Sequence, residues 1–87
     1  MDNIPEFNIK DRAVTTKGTR YTTSVHDEGF TPFNMLCANI KNQMSGLVGK
    51  QVKINDKVSN VLIIYFNEGL RELRVSMLTD EEFLTKE

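Results

Sequence analysis

A single cysteine and a single histidine in 87 residues remove two classes of architecture at once. One thiol forms no internal disulfide, and one thiol with one imidazole cannot supply the three or four ligands of a structural zinc site. The core must therefore hold without staples, in a chain longer than the roughly 40 residues below which staples are usually needed. One thin-cored domain spanning residues 1–87 is expected. Long apolar runs are missing too. None approaches the roughly 18 residues of a membrane span, and Met1–Lys10 lacks the basic and apolar regions of a secretory signal, so the expectation is no membrane partner and a cytoplasmic location. Nor is there an excess of positive charge. Eleven Lys and Arg stand against twelve Asp and Glu, a net charge of −1, which excludes a generally basic coat for nucleic acid and leaves electrostatics to local distribution.

That distribution is uneven. Residues 1–57 hold eight basic and six acidic side chains, whereas residues 58–87 hold three and six. Lys10, Arg12, Lys17 and Arg20 are opposed only by Asp11, and Lys50, Lys53 and Lys57 only by Asp56. Residues 79–87 form an acidic segment in which Asp80, Glu81, Glu82 and Glu87 outnumber Lys86.

Periodicity divides the chain. Residues 1–6 carry Pro5 and no period, and read as a flexible lead-in. From Phe7 to His26 a run rich in Thr, Val, Ile and Tyr is interrupted by Lys17-Gly18-Thr19, which predicts a β-hairpin. Tyr21, Thr23 and Val25 would share one of its faces, and Arg20, Thr22, Ser24 and His26 the other. A helix follows over about Asn34–Ser45, because Phe33, Leu36, Cys37, Ile40 and Met44 make one apolar stripe that Gly46 ends. Its start has two readings: Thr31 caps it with Pro32 at the first position, or Phe30–Phe33 completes a short strand and Asn34 caps it. Val52 and Ile54 then alternate with polar residues as a strand. Val61–Phe66 is continuously apolar and reads as a strand covered on both faces, turned by Asn67-Glu68-Gly69 into an alternating strand over Leu70–Leu78. Thr79-Asp80-Glu81-Glu82 matches a capping box and predicts a short terminal helix. The fold class is thus α+β and mainly antiparallel, a small barrel of five to six strands with one principal helix. Leu36, Ile40, Val52, Ile54, Ile63, Leu73 and Val75 are the expected core.

Catalytic patterns are weak. His26 and Asp27 are adjacent in an extended segment and point to opposite faces, so they do not converge on a substrate or metal. Cys37 lies on the apolar stripe, where a thiol acts as a small hydrophobe. Lys50-Gln51 after Gly49 is not a phosphate-loop ending. Glu68, Glu72, Glu81 and Glu82 occupy turn, wet-face or cap positions, leaving no carboxylate pair in a cleft. A non-enzymatic protein without cofactor or metal is expected.

Nucleic-acid binding asks for less: a curved β surface, cations for phosphates, and flat side chains on which bases stack at about 1–3 kcal/mol each. Lys10, Arg12, Lys17, Arg20, Lys53 and Lys57 are the candidate phosphate contacts. Tyr21 is the candidate stacking residue, with Phe33 and Tyr65 in reserve, although the core competes for all three.

The segments Lys17-Gly18-Thr19-Arg20-Tyr21-Thr22-Thr23 and Asp27-Glu28-Gly29-Phe30-Thr31, then a short helix closed by Gly46-Leu47-Val48-Gly49-Lys50-Gln51-Val52-Lys53-Ile54, resemble small phage and plasmid OB-fold proteins that bind single-stranded DNA. The resemblance covers about residues 8–66. It implies an OB-like barrel with its helix between the third and fourth strands, Phe30–Phe33 counting as strand three. It also implies binding of single-stranded DNA, or RNA, with little sequence preference, in support of replication or recombination. The family's basic surface with interspersed aromatics carries over to Lys10, Arg12, Lys17, Arg20 and Tyr21, and then to Lys53 and Lys57. Many members end in an acidic tail that recruits protein partners, which Thr79–Glu87 matches in charge.

The rival reading is a small phage-type interaction module or inhibitor of a host enzyme, which needs no basic groove. An uncovered strand edge at Leu70–Leu78 would serve it, and edge pairing between two copies would give a homodimer.

Overall fold

The computed structural model describes residues 3–85. Along the chain run β1 (Glu6–Phe7), β2 (Asp11–Thr15), β3 (Gly18–His26), α1 (Phe33–Ser45), β4 (Gln51–Ile54), β5 (Lys57–Glu68) and β6 (Glu72–Thr79). The strands form one sheet in the order β1-β4-β5-β6-β3-β2. Only β1 and β4 are parallel; every other pair is antiparallel. The fold is therefore α+β and OB-like, a mixed six-stranded sheet curled into a half-barrel with one helix.

The curl comes from β5. Its residues Lys57–Asn60 pair with β4, whereas Val61–Glu68 pair with β6, and a bulge between Val61 and Ile63 lies where the two stretches meet. An extra residue on one strand bends it and increases its twist, so the sheet turns a corner there. Asn55 and Asp56 join β4 to β5 in a two-residue turn with φ of 52° and 69°, the left-handed pair whose twist matches that of a hairpin. Asn55 also anchors the N-terminal strand. Its amide accepts from the Ile9 N–H at 3.0 Å and donates to the Ile9 carbonyl at 2.8 Å, while its own N–H donates to Phe7 O.

The core lies on the concave side. Ile9, Tyr21, Val52, Ile54, Val61 and Met77 form one buried cluster; Cys37, Leu73 and Val75 form a second. Met44 and Ile64 pack against both. From the helix stripe only Cys37 is fully buried, while Phe33, Ile40 and Met44 are half-buried against the sheet.

Several expectations are corrected. Phe30–Phe33 is not a strand: residues 29–31 bend and the helix starts at Phe33, so its position after the third strand is owed to the short β1. Neither expected cap is used. Pro32 precedes the helix, its carbonyl accepting from Met35 and Leu36 at 3.0 and 3.1 Å with no side-chain cap. The terminal capping box makes no helix, because Thr79 remains in β6 and its hydroxyl donates across the sheet to Thr19 O. Glu6, counted in the lead-in, pairs with Lys53. The Val61–Phe66 run is not covered on both faces: Ile63 is 42% exposed, and Leu62 and Tyr65 are exposed too. Ile63 therefore leaves the core, and Leu36 belongs to neither cluster. Met1, Asp2, Lys86 and Glu87, which belong to the expected lead-in and acidic segment, lie outside the described residues.

Candidate nucleic-acid interface

Strand alternation and register together define a second, convex face. On β3 it carries Arg20, Thr22, Ser24 and His26, opposite Leu78, Ser76, Arg74 and Glu72 of β6. On β5 it carries Ile63, Tyr65 and Asn67, opposite Leu78, Ser76 and Arg74. Asp11 of β2 faces Thr22. The result is a sheet surface with small hydroxyl side chains at its middle, Ile63 and Leu78 towards one end and His26 and Glu72 towards the other, and on it Arg20, Arg74 and Tyr65 line one shallow depression with Phe66, Asn67 and Ser76. Tyr65 is 57% exposed. Thr22 and Ser76 hydroxyls meet at 3.3 Å across the strands. Two carboxylates bound the surface: Asp11 beside Arg20 at one side and Glu72, 4.0 Å from Arg74, at one end.

Of the residues singled out in the sequence, Arg20 belongs to this face and the others do not form one surface with it. Tyr21 is corrected outright. It is 1% exposed, its ring lies in the first core cluster and its hydroxyl donates to Glu81 Oε2, so no base can stack on it. Burial, and then the Glu81 hydrogen bond, push the Tyr21 phenol above its ordinary pKa. Arg12 pairs with Tyr21 in the ladder and turns toward the same carboxylates, at 3.1 Å from Glu81 and 3.3 Å from Glu82. Its charge is thus answered within the chain. Lys10 is exposed just before β2, and Lys17 is exposed in the β2–β3 turn. Lys53 lies 3.8 Å from Glu6 on the far wing of the sheet. Lys57 stands opposite the buried Ile54 and so alternates to the other side of that wing from Lys53.

The acidic segment is not a free tail over its described part. Glu82 O accepts from Thr19 Oγ1 at 2.7 Å, and the Leu84 N–H donates to Thr15 O at 2.8 Å, which lays residues 80–84 along the first hairpin. The expected docking edge at Leu70–Leu78 is also corrected, since β6 is paired on both sides. Besides the outer strands β1 and β2, β5 has an open stretch of edge, since beyond Val61 it pairs with β6 alone.

Arg74 is the residue that reading along the chain missed, and Tyr65, held there in reserve with the core competing for it, is exposed. Arg74 alternates with Leu73 and Val75, so its wet-face position was visible. That this face continues that of Arg20 required the β3–β6 register, a pairing about 50 residues apart in sequence. Among the described residues no group of acidic, histidine and cysteine side chains could hold a metal, and no helix is long and apolar enough to cross a membrane. Set against protein-family models, curated proteins and solved structures, the chain matches none.

Proposed function

We propose that the protein binds single-stranded nucleic acid, DNA in the first instance, with little sequence preference, on the convex face of β3, β6 and β5, in support of replication or recombination. The observation that carries this reading is Tyr65, an exposed aromatic standing with Arg20 and Arg74 on the convex sheet surface. An exposed ring offers a stacking platform to any base, and two guanidiniums offer paired donors to phosphate oxygens. The small hydroxyls of Thr22, Ser24 and Ser76 let a strand approach the sheet closely. No reacting group is required of the protein.

The test is oligonucleotide binding as a function of salt. Arg20→Ala with Arg74→Ala should lower affinity for every sequence and reduce the slope of log affinity against log salt by about 1.4, two contacts at roughly 0.7 each for a single strand. Tyr65→Ala should cost about 1–3 kcal/mol with little change in slope, and Tyr21→Phe should leave binding unaltered. Wild-type protein that fails to bind at low salt, where electrostatics are strongest, refutes the proposal.

A protein-interaction role is the second reading. It is favoured by the open edge of β5 and by Phe30 and Leu70, which are 90% and 97% exposed on loops joined by the Asp27 N–H to Arg71 O hydrogen bond. Edge pairing there adds main-chain hydrogen bonds irrespective of sequence.

A further inference from the structure

The open stretches of sheet edge are not alike. β1 is two residues long, and the end of β3 beyond Thr22 is short and mostly polar. β2 carries Asp11 and Arg12 and is tied at its far end by the Leu84 N–H, which donates to Thr15 O. Shortness, charge and a covering segment are the means by which an edge is kept from pairing. The open stretch of β5 has none of them. It runs from Leu62 to Glu68, between Val61, which exchanges hydrogen bonds with Gly49 and Lys50, and Gly69, whose N–H donates to Glu72 O. Leu62-Ile63-Ile64-Tyr65-Phe66-Asn67 holds neither charge nor proline and is rich in strand formers. Its free main-chain groups follow from the alternation of an antiparallel ladder. With residue 69 bonded to β6, Asn67, Tyr65 and Ile63 are bonded to it as well, and Ile64, Phe66 and Glu68 turn their N–H and C=O groups outward. Among the described residues these groups have no hydrogen-bond partner.

We propose that this edge pairs antiparallel with the same edge of a second copy of the chain, giving a two-fold dimer. Self-pairing fits the open stretch end to end. Its midpoint is Tyr65, and an axis there sets Leu62 opposite Glu68 of the second copy, so the ladder stops where Val61 and Gly69 are already bonded. The outward groups meet in that register: Ile64 faces Phe66 of the second copy, and Phe66 faces its Ile64, each pair exchanging two hydrogen bonds. Tyr65, 57% exposed, stands opposite its own copy as a close, non-bonded pair, and aromatic pairs of this kind add to sheet stability. No like charges meet, because Glu68 is the one charged residue of the stretch and faces Leu62. The same patch serves both copies and is used up by the pairing, so association closes at two. One strand from each copy makes a small interface, and the dimer should dissociate in the roughly micromolar range.

Sedimentation velocity over a dilution series should show the protein passing from dimer to monomer with no larger species. As concentration rises, amide exchange should slow at Ile64 and Phe66 and stay unchanged along β2. Tyr65→Lys sets two like charges opposite each other and should raise the dissociation constant at least about tenfold, as should Tyr65→Glu. An equimolar mixture of the two variants should dimerise again, because opposite charges then face across the axis. Circular dichroism checks that both fold; where either does not, exchange in the wild-type protein decides. Monomer at every concentration, growth beyond the dimer, or slowing along β2 in place of β5 overturns the proposal. So does a mixture of folded variants that fails to recover association. Every one of these readings is taken without nucleic acid, so the dimer and the nucleic-acid proposal fail separately.

Discussion

At the scale of single residues, Gly18 and Asn55 are held by opposite requirements. Gly18 opens β3 at a φ of 140°, and a Cβ there would lie 2.3 Å from the Thr79 carbonyl oxygen, which is backbone and cannot swing aside. Gly18→Ala should therefore cost about 2 kcal/mol or more, read as a fall in denaturant midpoint at unchanged slope. Asn55 is constrained by what its side chain does. Glycine would keep the left-handed turn and delete both hydrogen bonds to Ile9, so Asn55→Gly should cost about 1–3 kcal/mol, with amide exchange accelerated at Ile9 and at residue 55 itself, whose N–H donates to Phe7 O. The glycine in the first turn was legible in the sequence. The second role was not, since nothing local ties Asn55 to a residue 46 positions away.

At the scale of elements, β5 shows where pattern reading succeeds and where it stops. A continuous apolar run predicts a strand, and the strand is there. Its covering does not follow from the run, because after the bulge alternate side chains turn to the convex face, over which none of the described elements packs. Val61 is buried on one side of the bulge and Ile63 half-exposed on the other. Val61→Ala should thus cost about 2–3 kcal/mol, and Ile63→Ala under about 1, in equilibrium unfolding. Comparable losses at both would mean that the bulge is displaced. Likewise the capping-box pattern at Thr79–Glu82 is satisfied by competing tertiary bonds. Thr79 donates to Thr19 O and Glu81 accepts from Tyr21, so the residues that would start a helix tie down a strand end.

At the scale of the whole molecule, openness is the governing property. Its radius of gyration of 13.8 Å exceeds the about 12 Å of a compact domain of this length, and its shortest extent is 19 Å. The two wings of so thin a sheet need ties across the corner, and Asp80 makes one. Its carboxylate accepts the Asn60 N–H at 2.7 Å and the Asn60 amide at 2.9 Å, while its own N–H donates to Asn60 O. These bonds, the side-chain one foremost, hold the Asp80 carboxyl below its ordinary pKa. A carboxyl depressed in the folded state stabilises the fold above its unfolded pKa, about 4, and that contribution is lost as pH falls through the folded value. Unfolding midpoints measured from pH 6 downward should therefore decline in the acid range, with a shallower decline for Asp80→Asn. Identical slopes would show that the tie carries no stability.

The sequence alone determined what depends on neighbours along the chain: strands from alternation, one helix from its apolar stripe, the β3-opening turn from its glycine, and the exclusion of disulfide and zinc staples from composition. It also placed Cys37 inward and Arg20 outward, since the side-chain period within an element is set by backbone geometry. Tertiary structure decided everything that rests on pairing between distant segments. It buried Tyr21 against Glu81 and joined Arg74 and Tyr65 to Arg20. It also made β6 central rather than an edge. The physical reason is that register and sheet order are settled by the summed burial of two faces and by hydrogen bonds across the ladder, and local composition holds only one side of each of those contacts.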